Sequence, residues 1–232
     1  AGCSLSDSIT LEQLKQWKKE HPNAITIGYV NTTAEIKSEL DYCCTSSNAV
    51  NVVKSIPDDK EILFLPDMFL GSYVAKMTGR KNMLIWAGEC HVHAGITPEN
   101  VKEKLNSLAH AEFLIHPECS CTTPMMYDVA NGSYNSNQVQ ILSTEGMMNH
   151  VKNSKSNEFV IATETGILYR MKQQNPTKKF IPASEKAECE YMKMITLDKV
   201  YNSLLNETTV ITVPKEIADK ARLAIERMLE IS

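Results

Sequence analysis

The chain has 232 residues, of which 43% are hydrophobic and 22% charged, a composition that allows a sizeable core in one large domain or two of ordinary size. Its 24 lysines and arginines against 28 aspartates and glutamates give a formal charge of -4 without a basic patch, which argues against nucleic acid or an anionic membrane as a partner. No apolar run approaches the roughly 20 residues that a membrane-spanning helix needs, and no signal peptide is visible.

The first part of the chain alternates helical and strand patterns. Thr10, with Gln13 three residues later, predicts a capping box and a helix that ends near His21. Short apolar runs predict strands at 25–30, 42–44 and 62–65. The segments between them predict helices at 33–40, 48–55 and 66–78.

The same alternation begins again after residue 80. Apolar runs predict strands at 83–86, 113–115, 139–142 and 159–162. Pro98 suits the first turn of a helix that follows Thr97, a short helix is predicted inside the irregular segment 120–138, and further helices follow the strand ends near 146 and 166. The tail adds a helix capped by Thr196 and an amphipathic packing helix that begins at Pro214.

Alternating strands and helices of this kind predict parallel sheets covered on both faces. The two groups are too short to form one barrel of eight units. We therefore predict an α/β protein with two similar three-layer αβα sandwich domains, at 1–82 and 83–187, followed by a C-terminal segment with helices at 188–232.

Polar and reactive side chains follow the predicted strands. In parallel α/β sheets ligands bind outside the carboxyl ends of the strands, so these positions predict a functional crevice. Helix caps and turns explain serine, threonine and asparagine there, but they do not easily explain tyrosine, cysteine, histidine and glutamate. The strand-end residues are Tyr29, Asn31, Thr45, Ser46, Cys90, His93, His116, Glu118, Ser143, Thr144 and Glu164.

The stretch from Gly88 to His93 places one thiol and two imidazoles within four residues. Cysteine and histidine are ligands of transition metals and iron–sulfur clusters, so a metal site is one interpretation. A buried thiol beside two solvated histidines is the other, because a Cys-x-x-His spacing recurs by accident. The local pattern leaves both open.

The seven cysteines do not form a disulfide pattern, because their number is odd and the chain is long and rich in core residues. Reduced thiols in a cytosol-like compartment fit better. Cys3, Cys90 and Cys189 are separated by 87 and 99 residues, about one domain length each. If they converge, they do so at a junction between domains, where three thiolates would leave one metal position open for substrate.

Several ordered motifs together resemble the quinolinate synthase family, the iron–sulfur enzymes of NAD biosynthesis. The resemblance extends from the first residue to the last helix. It is carried by Ala1-Gly2-Cys3-Ser4-Leu5-Ser6-Asp7, Tyr29-Val30-Asn31-Thr32-Thr33-Ala34, Cys44-Thr45-Ser46-Ser47-Asn48-Ala49-Val50, Pro66-Asp67-x-x-Leu70-Gly71, Cys90-His91-Val92-His93, His116-Pro117-Glu118-Cys119, Ser143-Thr144, Ala162-Thr163-Glu164-x-Gly166-Ile167 and Cys189-x-x-Met192-Lys193.

The resemblance implies a [4Fe–4S] cluster held by Cys3, Cys90 and Cys189, with an open iron that acts as a Lewis acid rather than as an electron carrier. Cys119 is then not a ligand, and Cys121 has no assigned role. The implied reaction condenses iminoaspartate with dihydroxyacetone phosphate to quinolinate, with loss of phosphate and water. A functional link to L-aspartate oxidase or aspartate dehydrogenase follows, in the cytoplasm or, for a plant-like source, a plastid.

The resemblance also implies roles for the strand-end side chains. Tyr29 and Glu118 are the candidates for proton transfer, and His116 and His93 orient or assist them. Carboxylate and phosphate groups of the substrates are expected to bind Asn31, Ser46, Ser143 and Thr144. Glu164 either takes part or only fixes the backbone.

One departure from the family pattern concerns its architecture of three similar domains with pseudo-threefold symmetry. The family's first domain, with a His-x-Tyr strand end, has no counterpart in this sequence, so we expect an open site and negligible turnover from this chain alone. Two other functions stay open. One is a non-catalytic α/β module that binds a metal or a phosphate ligand, and the other is a zinc hydrolase that uses His91, His93 and Glu118.

Overall fold

The computed structural model describes residues 2–231, so Ala1 of the first motif lies outside the described residues. The first sheet has the strand order β2-β1-β3-β4, and every neighbouring pair is parallel. All four residues of its third strand are buried, as expected for a strand covered on both faces. The strands are β1 (Ile25–Tyr29), β2 (Tyr42–Cys44), β3 (Ile62–Leu65) and β4 (Met83–Ile85).

The second sheet repeats this arrangement with the order β6-β5-β7-β8, again with parallel pairs throughout. Its two central strands are almost wholly buried. The strands are β5 (Glu112–Ile115), β6 (Val139–Ile141), β7 (Glu158–Ala162) and β8 (Lys179–Pro182).

Helices cover both faces of the two sheets. Predicted caps begin two of them, since Thr10 and Thr97 each form a capping box. Asp67, which was not predicted as a cap, also begins a helix by accepting a hydrogen bond from the Leu70 amide. The helices are α1 (Leu11–Glu20), α2 (Ala34–Lys37), α3 (Ala49–Ser55), α4 (Met68–Thr78), α5 (His91–Ala94), α6 (Pro98–Ser107), α7 (Thr122–Ala130), α8 (Thr144–Asn153), α9 (Ile167–Gln174), α10 (Glu190–Lys193), α11 (Leu197–Asn206) and α12 (Lys215–Ile231).

The fold class predicted from the sequence, two αβα sandwiches with parallel sheets, is confirmed. Buried apolar residues lie on both faces of each sheet and form separate clusters. Helix α12 returns to the first sandwich, where it packs against α2 and β2 and buries Ala221, Ala224 and Met228. No helix within residues 2–231 combines the length and hydrophobicity required to cross a bilayer.

Three elements differ from the predictions. Strand β8 was not expected, because Lys179 and Pro182 are unfavourable strand residues that only an edge position accommodates. The helix predicted over 33–40 ends at Lys37, and tight turns continue to Leu40. The strand at 83–85 pairs with β3 although the predicted boundary at residue 82 placed it in the second unit, so we propose a domain boundary after this strand.

Candidate active site and metal centre

The seven free cysteines fall into two classes by exposure. Those at positions 43, 44, 119 and 121 are buried, whereas Cys3, Cys90 and Cys189 are partly exposed. Burial raises the pKa of Cys43 to about 11 and holds the pKa of Cys44 and of Cys119 well above the ordinary thiol value. Because a thiol must lose its proton to bind a metal, the partly exposed cysteines are the better ligands.

The segments that carry these three cysteines meet. The hydroxyl of Ser4 lies 2.6 Å from Nδ1 of His91. The His91 ring packs edge-on against Tyr191 with 5.7 Å between centroids, and a side-chain carbon added at Gly2 would lie 3.7 Å from the same tyrosine ring. The four residues in these contacts are near neighbours of the three partly exposed cysteines, so chain positions far apart in sequence converge.

Cys90 and Cys189 occupy equivalent places in the two units. Each follows the last strand of its sheet and is the N-cap residue of a four-residue helix, with similar extended backbone angles. The amide of Cys189 donates a hydrogen bond to Oε1 of Glu164 at 3.4 Å, and the Asn31 side-chain amide lies 3.5 Å from Sγ of Cys3. Glu164 also accepts a hydrogen bond from the Gly166 amide, so it fixes the backbone around Cys189.

The arrangement of the three thiols fits a metal centre larger than a single ion. Within residues 2–231, the group of three ligating side chains whose donor atoms all lie within 4.8 Å of one another is Cys90, His93 and Glu118. Cys3 and Cys189 do not belong to such a group, so the three sulfur atoms are more widely spaced than the donors of one ion. A cluster binds each thiolate through a different iron atom, so it does not require the three sulfur atoms to lie as close together as the ligands of one ion.

Behind Cys90, a buried network joins two histidines and a glutamate. Nδ1 of His93 lies 3.2 Å from Oε2 of Glu118, and its Nε2 lies 3.0 Å from the Thr163 hydroxyl. The rings of His93 and His116 stack with centroids 4.5 Å apart. Nδ1 of His116 accepts a hydrogen bond from the Glu118 amide at 3.4 Å, which places the ring proton of neutral His116 on Nε2, 3.3 Å from the Ser46 hydroxyl.

The pKa values in this network diverge. Burial lowers the pKa of His93, but hydrogen bonds to Cys90 and Glu118 and their negative charges outweigh burial and raise it to about 10. Burial and the neighbouring His93 charge lower the pKa of His116 to about 3. For Glu118, burial would raise the pKa, yet the two histidines hold it below its ordinary value. At neutral pH the network therefore holds a carboxylate, an imidazolium and a neutral imidazole.

Tyr29 of the first unit reaches this network. Burial and the Glu118 charge raise the pKa of the Tyr29 phenol above its ordinary value, while the Ser46 hydroxyl lowers it in part. Oε1 of Glu118 is buried without a hydrogen-bond partner in the described part of the chain. The site therefore holds a protonated phenol close to an unpaired carboxylate oxygen.

Asp67 belongs to the site, although the sequence suggested only a turn and a motif residue. It is fully buried; Oδ1 accepts a hydrogen bond from the Leu70 amide at 2.6 Å, and Oδ2 has no partner among residues 2–231. Burial and the Glu118 charge raise the pKa of Asp67 to about 7, while the Leu70 amide, His93 and the Cys90 amide lower it in part. The role of Asp67 as the N-cap of α4 explains its hydrogen bond to the Leu70 amide. That role does not explain why the side chain lies near Glu118.

The structure thus brings together most of the predicted strand-end residues: Tyr29, Ser46, Cys90, His93, His116 and Glu118. Ser143 lies at the end of β6 and caps α8 by accepting a hydrogen bond from the Gly146 amide. Within the described chain no hydrogen bond joins Ser143 or Thr144 to that group. His91 contacts Ser4 and Tyr191 instead of His93 and Glu118, so the zinc triad considered from sequence does not assemble.

Comparisons with known proteins agree with this picture. The family model of the quinolinate synthetase A protein matches residues 1–230. Curated relatives named quinolinate synthase include that of Thermus thermophilus, which is 49% identical over 231 residues; the alignment covers 100% of this chain and 72% of the relative. The quinolinate synthases of Mycobacterium sp. (strain KMS) and Pyrobaculum aerophilum are each 47% identical, with 100% of this chain and 68% and 74% of the relatives covered. The chain belongs to the quinolinate synthetase A family.

Proposed function

We propose that this member of the quinolinate synthetase A family takes part in the condensation of iminoaspartate with dihydroxyacetone phosphate to quinolinate, with loss of phosphate and water. The observation that supports this most is the meeting of the segments that carry the three partly exposed cysteines, with Cys90 beside a network of a buried carboxylate, two histidines and a tyrosine. The family and the relatives' names support a role in quinolinate synthesis, and the site has the side chains for proton transfer.

A [4Fe–4S] cluster would be held by Cys3, Cys90 and Cys189. Three thiolates leave one iron without a protein ligand, and the group would supply Lewis acidity toward a substrate oxygen when bound. The remaining cysteines are poor alternatives because they are buried. Glu164 would keep the Cys189 backbone in place through the Cys189 amide.

Proton transfer is assigned to Glu118 and Tyr29. The Glu118 carboxylate accepts a proton from a substrate carbon or nitrogen at its unpaired Oε1, because this oxygen has no competing donor in the described structure. The Tyr29 phenol stays protonated and donates to a substrate oxygen. His93 holds the carboxylate through Nδ1, and neutral His116 presents Nε2–H toward the crevice as a hydrogen-bond donor.

Binding of the substrates' carboxylate and phosphate groups is assigned to neutral donors. Ser46 lies beside His116, and Asn31 lies beside Cys3, so both are near the proposed centre. The Ser143 hydroxyl accepts the Gly146 amide and keeps its own proton free to donate, and Thr144 begins helix α8, whose N-terminus favours anions.

Because negligible turnover is expected from this chain alone, the test is quinolinate formation from dihydroxyacetone phosphate and freshly generated iminoaspartate by the anaerobically reconstituted chain, supplemented with a separately produced first domain of a quinolinate synthase. Quinolinate that requires the cluster and disappears in the Glu118→Gln variant supports the proposal. If the supplemented chain binds the cluster and substrate analogues but forms no quinolinate, the second function is supported instead, a non-catalytic module that binds a metal and phosphate ligands. A chain that binds neither contradicts both.

A further inference from the structure

Three side chains near the centre of the site form a second, smaller donor set. Cys90 and His93 lie three residues apart around the single turn of α5, so their side chains point to the same side. Glu118 reaches them from the loop after β5. One donor atom from each lies within 4.8 Å of the other two, and Nδ1 of His93 is 3.2 Å from Oε2 of Glu118.

This set has the chemistry of a single divalent transition ion. Thiolate, imidazole and carboxylate are the three ligand types that zinc binds in proteins, at about 2.0–2.3 Å from the metal. Donors within 4.8 Å of one another need only small side-chain rotations to reach those distances. Three protein ligands leave a fourth position for water on the side where Cys90 is partly exposed.

The surroundings also favour a cation. Glu118 is 4% exposed, and its Oε1 is buried without a partner in the described chain, which leaves this carboxylate with an unused acceptor atom. Nε2 of His93 lies 3.0 Å from the Thr163 hydroxyl. With Nε2–H donating to that oxygen, Nδ1 faces the Glu118 carboxylate, and a metal bound there would replace the proton that His93 carries on Nδ1 at neutral pH. A hydrogen bond from the other ring nitrogen is the usual support for a metal-bound histidine.

We propose that the cluster-free chain binds one Zn²⁺ through Cys90, His93 and Glu118, and that this ion blocks cluster assembly. The two centres exclude each other because both need the Cys90 thiolate. Neither Cys3 nor Cys189 takes part in the zinc site. The inference goes beyond the proposed function, since it concerns the protein before its cluster is loaded.

The test uses the full chain prepared without iron, in which Zn²⁺ affinity is measured by competition with a chromophoric chelator. We expect one equivalent to bind, with affinity lowered at least about tenfold by Cys90→Ala, His93→Ala or Glu118→Gln. The matched control is Cys189→Ala, which removes a proposed cluster ligand and should change zinc affinity less than twofold. Zinc binding that survives His93→Ala and Glu118→Gln but is lost in Cys189→Ala would overturn the proposal.

Cobalt gives a readout that does not depend on affinity or on activity. Co²⁺ in the proposed site should show the charge-transfer absorption of one thiolate, and Cys90→Ala should abolish this absorption. Glu118→Gln conserves shape, so it should preserve the fold and the thiolate band but weaken Co²⁺ binding. A band of three-thiolate intensity would contradict the assignment. Zinc-loaded protein should take up no cluster until a chelator removes the ion; unhindered reconstitution would contradict the mutual exclusion.

Discussion

The two sandwiches share one backbone plan and differ in chemistry. Both sheets have the same strand order, and in both a cysteine follows the fourth strand as the N-cap of a short helix. In both, an acidic residue two positions after the third strand lies near that cysteine's amide: Asp67 in the first unit and Glu164 in the second. The shared plan therefore accounts for where the thiols lie.

The two units differ in the side chains that stand at the carboxyl end of their first strands. The first unit places Tyr29 there, a neutral donor, whereas the second places His116 and the charged Glu118. The buried negative charge of the site therefore comes from the second unit, apart from that of Asp67, whose pKa of about 7 leaves it partly protonated at neutral pH. The shared backbone therefore sets where the site residues lie, and the few side chains that differ between the two units set the acid–base chemistry of the site.

The largest expected effect comes from removing the charge that distinguishes the second unit. Glu118→Gln conserves shape but removes the base, so turnover by the reconstituted chain supplemented with the family's first domain should fall about 10²–10⁴-fold while the cluster absorbance is retained. The matched control is Glu158→Gln. Glu158 is the first residue of strand β7, so it lies at the edge of the sheet opposite to the strand ends that carry the site, and its substitution should leave turnover nearly unchanged. Equal losses in both variants would show that Glu118 has no special role.

The buried His116 of the second unit should make the stability of the chain sensitive to acid. Folded His116 has a pKa of about 3, and the unfolded chain returns it to about 6.5, so only the unfolded state binds this proton between those values. The contribution of His116 to stability is complete above pH 6.5 and is lost as pH falls toward 3, by up to about 5 kcal/mol.

The measurement is urea unfolding of the metal-free chain at pH 7 and pH 5. Glu118 and His93 face the same ring, so the comparison uses His116→Asn, which keeps an acceptor for the Glu118 amide and leaves both neighbours in place. The variant should lose less stability than the parent between the two pH values. An identical pH dependence would mean that His116 is protonated in the folded state.

Substitution of Asp67, the acidic residue after the third strand of the first unit, should have a smaller effect, on stability. Asp67→Ala removes the acceptor for the buried Leu70 amide and should lower the free energy of unfolding by about 1–3 kcal/mol. Urea unfolding measures the loss, with Asp59→Ala, at an exposed position on the same loop as the Asp58–Arg80 ion pair but outside it, as the surface control. A loss no greater than that of the control would show that the buried carboxylate is not a useful cap.

The equivalent change in the second unit should have the smallest effect on stability. Glu164→Ala removes hydrogen bonds to the amides of Gly166 and Cys189 in a partly exposed loop, so unfolding should become easier by only about 0.5–1.5 kcal/mol. Because Cys189 loses its support, reconstituted iron should leave faster under a chelator than in the parent. An unchanged rate of iron release would show that Glu164 does not support the metal centre through Cys189.

Much of the fold was accessible from the sequence because its strands are short apolar runs with clear helix caps such as Thr10 and Thr97. Strand β8 was missed because pairing with β7, which is set by tertiary contacts, outweighs the poor strand propensity of Lys179 and Pro182. Asp67 was missed as a site residue because its environment depends on Glu118, which lies 51 positions away in the chain.

The cysteine positions illustrate the same limit. Spacing alone did not show that Cys3, Cys90 and Cys189 converge; the contacts of their neighbours Ser4, His91 and Tyr191 do. Exposure then separates them from the other four thiols. Neither burial nor contact between distant segments can be read from local sequence pattern.

The most direct test of the account compares Cys189→Ala with Cys119→Ala after anaerobic reconstitution with iron and sulfide, by visible absorbance and by iron and sulfide content. Cys189 is partly exposed at the meeting of the three segments, and Cys119 is buried with its thiol donating to the Ala162 carbonyl. The account predicts that Cys189→Ala loses the cluster and that Cys119→Ala retains it. Loss of the cluster in Cys119→Ala together with its retention in Cys189→Ala would contradict the account.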